Sequence, residues 1–371
     1  MKFTFTLFCL LSNLMFSLSL FAQDSQEKNK KLTLSGYVDV YYSDFSDSLG
    51  ANEFQLYSTV SPRSKRFGLN AAQITANYEE KNIRGTVTLH YGDIAQATWS
   101  SEFPVIQEAN AGVRLGKGWW VDGGFFTTHI GTESFLPKNN FTSSTTIATY
   151  NEPFFQSGAR LSYEGSEKIA FQFHVVSGYN FFLDKNNAKS VGVLFSYSPT
   201  SKFTLSYSNL LGRESEDGIK PKQFRVYQNL YFQYQPTEAF TWLTGADMGI
   251  QSHSGLDHPE EEAVMYNVLT TLNYKFSPVY GITLRGEIFS DPDGFISGTL
   301  SDKNGNERGF EAYGITFSNE YKPSESSFLR LEGRYIKAKD ALEVFYQDGP
   351  QSHRFEWMVT LGLYLDKSFS F

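Results

Sequence analysis

The sequence predicts an all-β chain: an up-and-down antiparallel β-barrel of about sixteen strands that spans a membrane. Three observations carry that expectation. Apolar and polar residues alternate with period two in about sixteen separate stretches, the mark of strands with one apolar face. The connections between these stretches are short and long in strict alternation. Aromatic residues make up 16% of the 371 residues (34 Phe, 22 Tyr, 5 Trp), although mean hydropathy is only −0.34.

The same figures exclude other classes. Disordered chains are poor in aromatics. A spanning helix needs roughly 18 consecutive apolar residues, and only the extreme N-terminus has a long apolar run. A formal charge of −8 is no basic footprint for nucleic acid.

Residues 1–22 place Lys2 before an apolar stretch that ends at the small residue Ala22. This pattern predicts a secretory signal peptide cleaved after Ala22. A buried N-terminal strand or helix is the alternative. Cys9, the single cysteine, follows Phe8, which is too bulky for a lipid-attachment box. The mature chain would therefore have no cysteine and need no disulfides outside the cytoplasm. Residues 23–31 read as a polar leader and residues 32–371 as the barrel.

The strands follow in order. In 31–42, Leu32, Leu34, Val38 and Val40 oppose Thr33, Ser35, Tyr37 and Asp39. The second, 66–79, breaks parity between Ala71 and Ile74, which predicts a bulge or shifted register there. In 82–93, Ile83, Val87, Leu89 and Tyr91 oppose Arg84, Thr86, Thr88 and His90. Strands at 105–116 and 119–128 precede 154–164, where Ala159, Leu161 and Tyr163 oppose Gly158, Arg160, Ser162 and Glu164. Then come 168–177, 189–198, 202–211, 223–235, 239–251, 263–275, 280–290 and 309–321. In 327–338, Leu329, Leu331 and Tyr335 oppose Arg330, Glu332 and Arg334. The last, 353–366, sets Phe355, Trp357, Val359, Leu361, Leu363 and Leu365 against Arg354, Glu356, Met358, Thr360, Gly362 and Tyr364.

Seven short connections carry turn residues, among them Gly116-Lys117-Gly118, Pro199-Thr200-Ser201 and Pro236-Thr237-Glu238. Eight long ones span 43–65, 94–104, 129–153, 178–188, 212–222, 252–262, 291–308 and 339–352. Outer-membrane barrels show this asymmetry, with short periplasmic turns, long external loops and an even strand number. In lipid every backbone polar group must be paired, so the sheet has to close. The polar parity then faces a wet interior. Aromatics near strand ends (Tyr41, Tyr42, Tyr91, Trp119, Trp120, Tyr163, Tyr197, Tyr234, Trp242, Tyr274 and Tyr321) read as interfacial girdles. The chain closes on Phe369-Ser370-Phe371, a terminal aromatic of the kind that directs barrel assembly. A water-soluble sandwich would also alternate, but it has no reason to alternate its loop lengths so regularly.

Several segments resemble one family. They are Ser35-Gly36-Tyr37-Val38-Asp39, Arg66-Phe67-Gly68-Leu69-Asn70, and Gly124 to Glu133 leading into Tyr150 to Arg160. Val176-Ser177-Gly178-Tyr179-Asn180 and Asn187 to Gly192 continue the pattern. Together the chain resembles the OmpL-like β-barrel porins of Bacteroidetes-type outer membranes over essentially its whole mature length. The resemblance implies a barrel with a pore and brings no catalytic residues.

The connection 129–153 follows the fifth strand, where general porins fold a long loop inward. Glu133 and Glu152 would supply the negative side of a constriction there. Arg285, Glu287, Arg330, Glu332, Arg334, Arg354 and Glu356 fall on the lumen-facing parity of the last four strands. The four arginines would form the opposing positive wall and set up a transverse field across a narrow throat. The alternative is that these charges pair across strands and stiffen the wall.

Other chemistry is weakly supported. His253, His258 and Glu260 to Glu262 read as an exposed acidic loop instead of a metal site. Asp302, Asn304 and Asn306 open like a calcium loop, but Glu307 stands where glycine is required and Tyr313 at position twelve. Gly305 to Gly309 lacks the ending of a phosphate loop. His90 and His174 sit mid-strand without an evident serine partner for hydrolysis and read as lumen-lining.

The expectation is an outer-membrane porin of a Gram-negative cell, not an enzyme, without cofactor or metal. It would pass small hydrophilic solutes and ions by diffusion through a water-filled barrel. Its partners would be outer-membrane lipid, the solutes and, in a homo-oligomer, copies of itself. The alternative is a plugged barrel that acts as a surface-binding or structural protein.

Overall fold

The computed structural model describes residues 30–47, 49–50, 52–184, 186–339 and 342–371. The expected signal peptide 1–22 and all but the end of the 23–31 leader lie outside the described residues. The first half of the barrel comprises β1 (Lys31–Phe45), β2 (Arg66–Glu79), β3 (Ile83–Tyr91), β4 (Ile106–Gly116), β5 (Trp119–Thr127), β6 (Phe155–Tyr163), β7 (Ile169–Val176) and β8 (Ser190–Thr200). It continues with β9 (Phe203–Arg213), β10 (Phe224–Tyr234), β11 (Phe240–Gln251), β12 (Ala263–Ser277) and β13 (Tyr280–Asp291). A small hairpin, β14 (Leu300–Ser301) with β15 (Glu307–Arg308), interrupts the sequence before β16 (Phe310–Tyr321) and β17 (Ser327–Ala338). A second hairpin, β18 (Phe345–Tyr346) with β19 (Pro350–Gln351), precedes β20 (His353–Ser370).

Sixteen of these strands form one closed antiparallel ring in sequence order, β1 to β13, then β16, β17 and β20. β20 returns to pair with β1, with Gly36 opposite Leu365. Closure leaves no unpaired edge, which is what the hydrocarbon interior demands. Among the described residues no helix is long and apolar enough to cross a membrane. Crossing falls to the strands.

Strict parity sorts the side chains. Leu34, Val38, Ile74, Val87, Leu230, Val268, Ile288, Ile315, Leu331 and Leu363 are exposed on the outer surface. Their sequence neighbours turn inward: Asp39, Thr88, Asn229, Asn267, Glu287, Thr316 and Arg330 are buried. At the rims the aromatics cluster, as where Tyr42 meets Phe67 and Trp357 at 5.0 and 5.5 Å between ring centres.

Two details correct the sequence expectation. The register shift falls between Asp39 and Val40, which pair with Ala71 and Leu69, so Asn70 is the extra residue. The bulge thus lies one residue before the predicted stretch and turns Asn70 inward, where it donates to Asp39 at 3.1 Å. Tyr41 and Trp120 are not girdle residues. Each is 2% exposed, because adjacent residues point to opposite faces and Tyr42 and Trp119 already hold the outer one. Tyr41 donates its hydroxyl to Asp93, and Trp120 lies under Arg84 and Arg114.

Candidate functional site

The lumen is organised by the connection between β5 and β6. It folds inward and crosses to the opposite wall of β13, β16, β17 and β20. On the way it forms a short 3-10 turn at Pro137–Asn139 and a helical turn at Ile147–Asn151. The helical turn is capped by Thr146, whose Oγ1 accepts from Thr149 N. A segment taken into a barrel carries backbone N–H and C=O groups that must find partners. The wall charges supply them.

Arg285 donates from Nη1 to Glu133 Oε1, Thr142 Oγ1 and the Ser144 carbonyl at 2.9, 2.8 and 2.6 Å. Its Nη2 donates to Ser144 Oγ at 2.9 Å. Arg330 donates to the carbonyls of Pro137, Thr142 and Asn140 at 2.8, 2.9 and 2.7 Å. Glu332 accepts from the backbone N–H groups of Ser143 and Ser144 at 2.7 and 2.9 Å. Glu287 accepts from Ile147 N at 2.7 Å. Arginine thus answers carbonyls and glutamate answers amides. These charges position a loop.

The sequence-predicted residues therefore meet differently from the expectation of facing charges across an open throat. Glu133 contacts Arg285 directly, and both are nearly fully buried. Glu152 lies on the other side of the loop, beside Asp247 of β11. Arg334 and Arg354 make their ion pairs away from the loop, Arg334 within the wall and Arg354 with the wall and the 43–65 connection. Arg334 reaches Glu287 at 2.7 Å and Glu356 at 3.2 Å, and Arg354 lies 3.4 Å from Asp47 and 3.6 Å from Glu356. Five of the seven wall charges, Arg285, Glu287, Arg334, Glu356 and Arg354, form one chain of buried ion pairs; Arg330 pairs with Glu320 at 2.7 Å, and it and Glu332 join the others through the loop.

The other leg of the loop is clamped to β7–β11 by residues that, His174 apart, sequence reasoning passed over. His129 bonds the Asn209 carbonyl at 2.9 Å and stacks on His174 at 3.9 Å. Thr132 Oγ1 accepts from Asn229 at 3.0 Å. Two lumen-facing glycines make this possible. A Cβ on Gly192 would lie 2.4 Å from His129 Nε2, and one on Gly245 would lie 2.2 Å from Thr132 Oγ1. Glycine inside a strand is a sequence sign of close approach by another segment. Gly245→Ala is expected to overpack this contact and cost about 1–3 kcal/mol, measured by chemical unfolding; an unchanged midpoint would remove the glycine from the clamp.

Glu152 is held well above the ordinary carboxyl value by burial, with Asp247 and Glu133 adding repulsion. The sign follows from linkage. A carboxyl raised in the docked loop favours docking fully below its ordinary pKa of 4.5. That contribution fades as pH rises from there through the raised value. Glu152→Gln, which cannot ionise, is expected to flatten the fall in stability above pH 4.5. An equal slope in both proteins would refute this role.

Two further layers fill the barrel. Above the loop, on the long-loop side, Tyr57, Ile147, Tyr179, Tyr227, Met265, Phe289, Phe310, Ile336 and Phe345 form one buried apolar cluster. Tyr57 comes from the 43–65 connection, which also turns inward and stacks its ring on Phe310 at 3.8 Å. Beneath the loop, toward the short turns, lies a cavity of about 830 Å³. His90 and His174 face inward but are buried by aromatic neighbours, His90 against Trp99 at 4.7 Å.

Outside the lumen, Asp302 spends its carboxylate on Asn304 N, Asn306 N and Arg308 Nε at 2.8, 2.9 and 2.9 Å. It caps the β14–β15 hairpin. His258 sits 3.8 Å from Glu260 on an exposed loop. Among the described residues no group of acidic, histidine or cysteine side chains converges on a metal position.

Residues 31–364 match the family described as "Putative beta-barrel porin-2, OmpL-like". No curated protein matches by sequence. Among solved structures, an anion-selective porin from Comamonas acidovorans superposes with a TM-score of 0.64 at 10% identity, over 91% of this chain and all of that one. The outer membrane channel DcaP of Acinetobacter baumannii gives 0.60 at 11% identity, over 91% and 97%. OmpT of Vibrio cholerae, in a trimer form, gives 0.57 at 8% identity, over 92% and 100%. At such identities the likeness is one of fold.

Proposed function

The chain belongs to the OmpL-like β-barrel porin-2 family, and from that premise we propose that it passes small hydrophilic solutes and ions across an outer membrane by diffusion. The observation that carries the mechanism is the polar cavity of about 830 Å³ bounded on one side by the inward loop. Transport involves no covalent step. The loop 129–153 sets the width of the path, and Arg285, Arg330 and Glu332 hold it in place. Arg334, Arg354 and Glu356 stiffen the wall behind it. The lipid partner would meet the exposed aliphatic and aromatic residues on the outward face of the strands. Export through a signal peptide cleaved after Ala22 fits this location, and a homo-oligomer would bury part of the outer surface.

One observation favours a second reading, a plugged barrel that works through its external loops. The apolar cluster around Phe289, Phe310 and Tyr57 occupies the long-loop half of the lumen, where a wide diffusion pore would be wet. Planar-bilayer recording of the refolded protein separates the two. Stepwise ion conductance supports diffusion; its absence under all voltages sinks the pore and favours the plug.

A further inference from the structure

We propose that the cavity beneath the inward loop is a binding site for an uncharged polyhydroxylated solute of monosaccharide or disaccharide size. This rests on the diffusion reading, because the solute must reach the lumen.

The lining carries the argument. Gln73, Gln107, Gln172, Gln233 and Tyr231 all border the cavity, interspersed with threonine and serine hydroxyls. Amides and hydroxyls both donate and accept, which suits a sugar whose hydroxyls do the same. Gln73 and Gln107 are held in place, Gln73 donating to Gln107 at 2.7 Å and accepting from Lys138 at 3.1 Å. Gln172 is fixed by His174 at 2.9 Å. Gln233 and the Tyr231 hydroxyl have no protein partner among the described residues. They are left to hydrogen-bond whatever enters. Tyr231 adds a ring face of the kind on which a pyranose stacks.

Part of the charge at the same surface is compensated. Arg160 and Arg84 share Asp122 at 3.2 and 2.6 Å, and Glu133 is taken up by Arg285. Lys138 donates to Gln73, Glu108 accepts from Asn110 at 2.9 Å, and Glu152 and Asp366 complete the charged lining. Four carboxylates against two cations disfavour an anion, and the amides and hydroxyls outnumber these groups and carry the recognition of a neutral ring. The volume lies within the range of pockets that enclose small molecules. It holds a sugar with its hydration partly replaced by side chains.

Saturation-transfer NMR on protein refolded in an amine-oxide detergent, free of sugar headgroups, tests this. Glucose is the probe, with glucuronate and glucosamine as charged analogues of the same ring. Saturable glucose binding, at least fivefold tighter than both analogues, is the expected result. The double variant Gln233→Leu/Tyr231→Phe should weaken it at least fivefold while circular dichroism and heat-modifiable mobility stay unchanged. Absence of saturable binding, equal or tighter binding of either analogue, or an unaffected variant would each overturn the site. Conductance is recorded on the same preparation. Current without glucose binding overturns the site and leaves the pore standing. Glucose binding without current overturns the pore and leaves the site.

Discussion

Arg285→Met is expected to destabilise the barrel by about 3–5 kcal/mol and to raise single-channel conductance severalfold. The guanidinium is fully buried and donates four hydrogen bonds to the inward loop. Removing it leaves the buried carboxylate of Glu133 with only the Thr146 N–H at 2.8 Å and Glu287 with Arg334 and the Ile147 N–H alone. Breaking a buried pair from one side costs about that much, because the remaining charge loses its partner but not its burial. The thioether fills the volume, so the loss is electrostatic and not a cavity. With its main anchor gone, the segment 133–147 should leave the wall, and the throat should widen. Glu133→Gln in the same background removes the stranded charge and should recover part of the stability, with a coupling above about 1 kcal/mol. Chemical unfolding in detergent and bilayer recording read the two effects. Stability within about 0.5 kcal/mol of the parent, together with unaltered conductance, would mean the loop is held by something else.

What the sequence disclosed and withheld follows from one physical fact: alternation reports the face of a residue, not what it meets there. The strands were legible because sixteen stretches share one period, and β2 and β17 even begin and end where alternation says they should. The inward set was legible too, since Arg330, Glu332 and Arg334 share a parity. Whether such a residue meets water, a neighbouring strand or an inserted loop depends on contacts across the lumen. Glu133 and Arg285 are 152 residues apart, and no local pattern links them. Some signals were present nonetheless. Phe289, Phe310 and Ile336 are apolar on the polar parity, all toward the long-loop ends of their strands. That run marks a lumen filled from the outside. Gly192 and Gly245 inside strands mark the place where the loop presses closest. The inward turn of 43–65 had no such sign, because its serines and threonines read equally well as a solvated loop.

The outer surface makes the sharpest demand. Ile315→Arg is expected to cost about 2–4 kcal/mol in a bilayer, the range found for arginine on the lipid face at mid-depth. Ile315 lies mid-strand in β16, half exposed and pointing away from the lumen, between Gly286 of β13 and Tyr335 of β17. Its side chain touches no packed interior, so in a water-soluble barrel the substitution would be close to neutral. Only hydrocarbon makes the charge expensive. Tyr321→Arg, at the short-turn end of the same strand and also exposed, provides the control for depth: near the interface the cost should fall to about 0–1 kcal/mol. Reversible unfolding from lipid vesicles measures both. Equal, small effects at the two positions would remove the membrane from the argument and leave a soluble barrel. A steep difference between them would fix the hydrocarbon midplane near Ile315, level with the buried charges of Glu287 and Arg334 on the opposite face of the sheet.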